Sequence, residues 1–340
     1  MTGQNHTHDH HDVHDDDHEH HDHDHETHDG HGHADGHDHH GIGGHSHAPV
    51  SFGRAFVIGM ALNTIYILAE VFYGVAAHSL ALLADAGHNL GDVVGLGGAW
   101  LAASLIRRHP TSRYTYGWGA ASILAALGNA VLLLVVTGGI GWEAIRRLIA
   151  PEPAAGTTIM AVSAIGIVVN GATALLFAAG RKGDLNIKGA FMHMAADAVL
   201  AFGVVVAGGL ILLTGWQWID PAVSLVVSMA IVAGTWSLLR DSVNLSLNAV
   251  PPGIEQAAVQ SFLDGLPGVT EVHDLHIWGL ATTETALTAH LVLVDGADHE
   301  SLLRWLPGAL NERFKIGHCT VQLESFETAR ICALRPAHVV

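Results

Sequence analysis

Between Phe52 and Arg240 the sequence holds six apolar stretches, near residues 54–77, 79–105, 118–145, 157–180, 186–213 and 219–240. Crossing the hydrocarbon core of a bilayer takes about 20 residues of helix, so each stretch is long enough to span it. Charged residues make up only 14% of the chain, in keeping with a membrane protein. Glycines recur inside the stretches, as in Gly95-Leu96-Gly97-Gly98 and Gly208-Gly209. Small residues let helices approach closely in lipid, where hydrophobicity alone does not drive them together.

The loops suggest an orientation. The second connection carries Arg107, Arg108 and Arg113, the fourth Arg181, Lys182 and Lys188, and the first and fifth have no Lys or Arg. By the positive-inside rule this places loops two and four, and both termini, in the cytosol. Arg146 and Arg147 in the third connection dissent and are outnumbered. Trp142 and the Trp216/Trp218 pair fall where interfacial aromatics are expected. A basic region followed by an apolar core and a cleavage site is missing from the N-terminus, so no cleaved signal peptide is expected.

The formal charge of −17 is concentrated at one end: residues 1–47 hold twelve Asp/Glu, no Lys or Arg, and eighteen of the 28 His. That leaves 20 acidic against 15 basic residues elsewhere, with no basic stripe of the kind that binds nucleic acid. Residues 1–49 cannot bury enough surface to offset their ordering entropy and are expected to be a disordered His/Asp-rich tail. A flexible array of imidazoles and carboxylates binds borderline metals weakly at many sites and raises their local concentration. The expected organisation is the tail, a membrane domain over 50–250, a soluble domain over 251–330 and a short tail over 331–340. The two cysteines, Cys319 and Cys332, lack Cys-x-x-Cys spacing and suggest neither a disulfide framework nor a zinc knuckle.

After Pro251-Pro252 the pattern changes. Ile254–Leu266 has helical periodicity closed by Pro267-Gly268, and Val269–Leu280 and Thr283–Val294 alternate as strands. Asp298 is a plausible N-cap for a helix to about Phe314, and Cys319–Glu324 reads as a last strand. The order α-β-β-α-β suggests an α+β sandwich of ferredoxin-like type.

Ionisable residues inside spanning helices are costly and are functional candidates by default. In the second span Asp85, His88 and Asp92 are spaced i, i+3, i+7 and project from one helical face. In the fifth span His193 and Asp197 lie one turn apart. Brought together, the two His-x-x-x-Asp pairs offer two imidazoles and two carboxylates. Four N/O ligands suit tetrahedral Zn2+, and the carboxylates neutralise the dication. An imidazole titrating near neutrality holds either a metal or a proton, which suits exchange between the two.

Several runs resemble the cation diffusion facilitators. Ser79-Leu-Ala-Leu-Leu-Ala-Asp-Ala-Gly-His88 followed by Asp92 is similar to their second-helix signature, and His193-Met-Ala-Ala-Asp197 to their fifth-helix half-site. His109-Pro-Thr-Ser-Arg-Tyr-Thr-Tyr-Gly-Trp118 resembles the loop after their second helix, and Val272-His-Asp-Leu-His-Ile-Trp278 their cytosolic domain. The resemblance runs from about residue 52 to 327. It implies a homodimeric six-helix metal/proton antiporter of the cell membrane, with zinc preferred among its cargoes and Cd2+, Co2+ or Ni2+ as further ones. It also implies a regulatory metal site lined by His273, His290, His318 and Glu324. One departure is visible: after Tyr116-Gly-Trp-Gly119 many relatives have a basic and an acidic residue, where this chain has Ala120-Ala121.

Other polar residues have plainer expectations. Asp85 is either a ligand on the release path or a hydrated, helix-capping carboxylate. Asn63, Glu70, Asn129 and Asn170 suit interhelical hydrogen bonds. His109 sits beside Arg107 and Arg108, a poor setting for a cation. His273 and His276 differ in strand parity and are expected on opposite faces, with His276 structural. A membrane metal sensor is the alternative to a transporter, but a sensor needs no ligands in mid-membrane. An intramembrane metalloprotease would need His-Glu-x-x-His, and an ATP-driven pump a Walker A loop or aspartyl-phosphate domain; the sequence has none of these.

Overall fold

The computed structural model describes residues 54–178 and 185–335. The expectations for residues 1–47 and for Arg181 and Lys182 lie outside the described residues, as does the side chain of Lys188. Six long helices follow one another: α1 (Arg54–Ala76), α2 (Leu80–Ile106), α3 (Ala120–Ile149), α4 (Gly156–Ala178), α5 (Leu185–Thr214) and α6 (Ile219–Ser246). α2 to α6 each hold a window long and apolar enough to cross a membrane, and α1 contributes the apolar Met60–Ala76. Their outer faces are apolar: Phe72 is 67% exposed, Val199 69% and Leu175 74%. Water would penalise so much bare hydrocarbon, whereas lipid does not. The chain is thus an α-helical multi-pass membrane protein with a C-terminal α+β domain.

α5 packs chiefly on α4, and α3 on α6 and α2; α2 and α5 touch each other at only a few places. Close approach is made by glycine. A Cβ at Gly166 of α4 would overlap the hydroxyl of Tyr66 from α1, a side chain only 4% exposed. Overpacking such a contact costs about 1–3 kcal/mol, against about 1 kcal/mol gained when a helical Gly becomes Ala. Gly166→Ala should therefore lower the melting temperature in detergent, whereas Gly203→Ala, with nothing within 4 Å of the new methyl, should hold or raise it. Equal melting curves for the two variants would refute this packing.

At one end the connections are tied together. Asp220 of α6 accepts from Ser79 Oγ at 2.5 Å, from the Leu80 amide at 2.8 Å and from the Ala81 amide at 3.3 Å. It thereby satisfies the orphan donors that open α2. Arg147 donates to the His78 carbonyl at 2.6 Å and pairs with Glu143 and Glu152. This arginine, which spoke against the sequence-based orientation, is committed to local carboxylates. At the other end the α2–α3 connection meets the soluble domain. Ser122 Oγ accepts from the Thr282 amide at 3.0 Å and donates to the Gly119 carbonyl at 2.8 Å. Gly119 leaves no room for a side chain beneath the Leu280 carbonyl. A glycine and a serine make this contact beside Ala120-Ala121.

The soluble domain continues with α7 (Gln256–Asp264), β1 (Val269–Ala281), β2 (Glu284–Leu293), α8 (His299–Phe314), β3 (His318–Glu324) and α9 (Phe326–Ile331). Asp298 caps α8 as expected, accepting from the Ser301 amide at 3.1 Å. The sheet order is β1-β2-β3, with β1/β2 antiparallel and β2/β3 parallel. Val259, Leu263, Leu287, Leu291, Leu306 and Leu310 form its core on the face covered by α7 and α8. The short α9 was not anticipated from the sequence.

Candidate metal centre

The two intramembrane half-sites meet. His88 Nε2 stands 3.2 Å from Asp197 Oδ1 and 3.8 Å from Asp92 Oδ2. His193 Nε2 stands 3.0 Å from Asp92 Oδ2 and 3.7 Å from Asp197 Oδ2. Imidazole and carboxylate thus alternate around a closed ring, and one donor atom from each residue lies within 4.8 Å of every other. A tetrahedron with metal–ligand bonds of about 2.0–2.2 Å has edges of about 3.3–3.6 Å, so the four groups stand nearly where one ion would need them. His88 Nδ1 and Asp197 Oδ2 are buried without a hydrogen-bond partner. Such atoms are rare in folded proteins and call for a ligand or a water.

Asp85 stands apart from these four. At about 100° per residue it lies about 60° around the helix from His88, a stripe wide enough to serve two neighbours. Its carboxyl is fully buried and interacts with Glu70 of α1. Glu70 in turn accepts from Asn89 Nδ2 at 3.1 Å, an interhelical bond of the expected kind. Asn63 points its amide at Met194 Sδ, 4.0 Å away. Asn129 and Asn170 depart from expectation. Asn129 packs its amide against Gly95, and neither nitrogen nor oxygen of Asn170 has a partner. His109 is exposed in its connection, outside any metal-binding group found among the described residues.

A second cluster lies on the sheet face away from α7 and α8. His273 pairs with His290 across β1 and β2, and their rings meet edge to face at 5.0 Å. His290 Nδ1 is 3.1 Å from Glu324 Oε1, and His273 Nε2 is 3.4 Å from Glu324 Oε2. The fourth member is Cys332, whose Sγ is 3.6 Å from His290 Nδ1. His318 is not in this group. It shares the face of Glu324, but six residues of strand separate them by about 20 Å, and its ring rests on Tyr116. The parity reading of His276 is corrected too. A bulge between His273 and His276, with Asp274 at φ +51°, adds one residue to β1. His276 therefore turns to the same face as His273 and sits 2.9 Å from Asp274 Oδ1.

Helices of spanning length around an intramembrane ring of two His and two Asp that could hold a metal ion, joined to an α+β domain, define the class of a multi-pass cation transporter. The transmembrane domain of the cation efflux family matches residues 56–245, and the cation efflux cytoplasmic domain matches residues 251–326. The chain belongs to this family, the cation diffusion facilitators, whose members are transporters and not enzymes. It is 35% identical over 283 residues to the metal cation efflux system protein CzcD of Cupriavidus metallidurans, covering 83% of this chain and 90% of that one. It is 35% identical over 289 residues to the zinc transporter ZitB of Escherichia coli, covering 82% and 92%. Against the cadmium, cobalt and zinc/H(+)-K(+) antiporter of Bacillus velezensis it is 33% identical over 286 residues, covering 83% and 91%.

Proposed function

We propose that this protein exports Zn2+, or a closely similar divalent metal, from the cytosol across the cell membrane in exchange for protons, with His88, Asp92, His193 and Asp197 as the transport site. The alternating ring of imidazole and carboxylate between α2 and α5 carries this reading. Its two carboxylates cancel the charge of a dication, and its two imidazoles hold metal when neutral and release it when protonated. Relatives named for zinc transport and for metal/proton antiport support the cargo and the coupling. The soluble domain and the arginine-bearing α2–α3 connection share one end of the bundle, which supports a cytosolic location for both. The matched cytoplasmic domain supports a homodimer. His273, His290 and Glu324 would hold a regulatory metal in that domain, and the His-rich tail would gather metal at the entrance. A sensor would use the soluble cluster alone; the intramembrane ring favours transport.

The test is Zn2+ uptake into inside-out vesicles with and without an imposed pH gradient. Acid-inside vesicles should accumulate Zn2+ faster, and collapsing the gradient with a protonophore should abolish the difference. Uptake indifferent to the gradient would remove the antiport reading.

A further inference from the structure

We propose that Cys332 supplies a thiolate ligand to the cytosolic cluster, giving a His273–His290–Glu324–Cys332 site that favours thiophilic metals such as Zn2+ and Cd2+. This rests on the reading above that the cluster holds metal, and adds a ligand of different chemistry.

The chain is shaped to bring the sulfur there. Ser325 caps α9 by accepting from the Thr328 amide at 3.3 Å, and Ala329 is completely buried against the domain. Cys332 follows as the C-cap, its amide bonded to the Ala329 carbonyl at 3.3 Å. Three residues on, Arg335 grips Glu271 of β1 through two hydrogen bonds of 2.8 and 2.7 Å. Cys332 is therefore fixed on both sides, by a helix and by an ion pair.

The distances suit coordination. From sulfur to His290 Nδ1, from there to Glu324 Oε1, and from Glu324 Oε2 to His273 Nε2 the separations are 3.6, 3.1 and 3.4 Å. Edges of about 3.3–3.8 Å are those of a tetrahedron built on Zn–N and Zn–S bonds of about 2.0–2.3 Å. On its far side His290 Nε2 lies 3.5 Å from Asp274 Oδ2. Carboxylates in that position fix which ring nitrogen faces a metal.

The cluster also has unmet demand. His273 is only 8% exposed, yet neither ring nitrogen has a hydrogen-bond partner, nor does Glu324 Oε2. A neutral Cys332 donating weakly to His290 would leave those atoms as they are. A shared cation meets them together, and thiolate plus carboxylate cancel its charge.

Cys319 is the internal control. It packs into the domain core on the opposite face of the sheet, where burial pushes its thiol pKa up and disfavours the thiolate. The two sites then differ in kind: nitrogen and oxygen only in the membrane, with sulfur added in the cytosolic domain. Soft thiolate ligands shift selectivity towards Zn2+ and Cd2+ and away from harder ions.

The full-length protein in detergent is titrated with Co2+ alone and followed in the near ultraviolet, where sulfur-to-cobalt charge transfer absorbs and imidazole and carboxylate sites do not. Wild type and Cys319→Ser should show the band, and Cys332→Ser should lose it. Cd2+ should displace the band, and Cys332→Ser should weaken Cd2+ binding at this site about tenfold or more. A band that survives in Cys332→Ser overturns the proposal. If wild type shows no band, bound metal is counted by equilibrium dialysis against the His273→Ala/His290→Ala double variant. A difference of one ion per chain then rejects the thiolate and leaves the cluster reading standing, whereas no difference rejects both.

Discussion

Asp197→Asn is expected to abolish measurable Zn2+ transport while leaving a folded, membrane-inserted protein. Asp197 is 1% exposed and faces both imidazoles, at 3.2 Å from His88 and 3.7 Å from His193. An amide keeps the size and one acceptor but removes one of the two negative charges. The bound dication would then carry a net positive charge into a poorly hydrated bundle. Removing one partner from a buried charge pair costs about 3–5 kcal/mol. At about 1.4 kcal/mol per tenfold this lowers site affinity by roughly two to three and a half orders of magnitude. Asp92 carries the same charge, but its side chain is 27% exposed. Fewer protein atoms enclose it than enclose Asp197, so Asp92→Asn should be the milder change by about tenfold. Uptake rates over a Zn2+ concentration series, with expression checked by size-exclusion chromatography, decide the matter. Wild-type kinetics from well-expressed Asp197→Asn would eliminate the intramembrane ring as the transport site.

The second large effect is structural. Asp220→Ala should be among the most destabilising single changes in the membrane domain, although Asp220 lies at a helix end and not in the metal ring. Its carboxylate, 2% exposed, binds the hydroxyl of Ser79 and the amides of Leu80 and Ala81. It also lies at the positive end of α2, where a negative charge is favoured. Alanine would strand these donors in a buried place, at about 1–3 kcal/mol for each unsatisfied group. Ser79 completes the arrangement by accepting from the Leu82 amide at 3.2 Å, and losing an N-cap costs about 1 kcal/mol. Melting temperatures should fall in the order Ser79→Ala, Asp220→Asn, Asp220→Ala, the last being lowest. A curve for Asp220→Ala that superimposes on wild type would contradict this role.

The sequence is informative where chemistry and local period coincide. The spans announce themselves by length and apolarity, and the metal-ring candidates by the cost of placing His and Asp within them. Two pairs at i, i+4 spacing need only a helix to align each half, and α2 and α5 supply it. Features that depend on distant residues leave no such trace. Asp220 caps a helix that begins 140 residues earlier, and nothing around either position advertises the pairing. The face of His276 was misread because counting by twos assumes a regular strand, and one bulge at Asp274 reverses the count. His318 has the right parity but the wrong end of β3, since parity gives a face and not a distance along it. Cys332 was passed over because its partners lie on three different strands and it has no neighbouring cysteine. Only the turn through α9 brings it to them.

The sparse contact between α2 and α5 gives the cargo a second character. These helices lean mainly on other partners and meet at few points besides the four ring residues. An ion held in the proposed site would bridge them as a removable rivet, and its binding would favour holding that seam shut. Linkage makes the relation reciprocal. Any movement that prises the seam apart loosens the ion by the same free energy that the ion contributes to closing it.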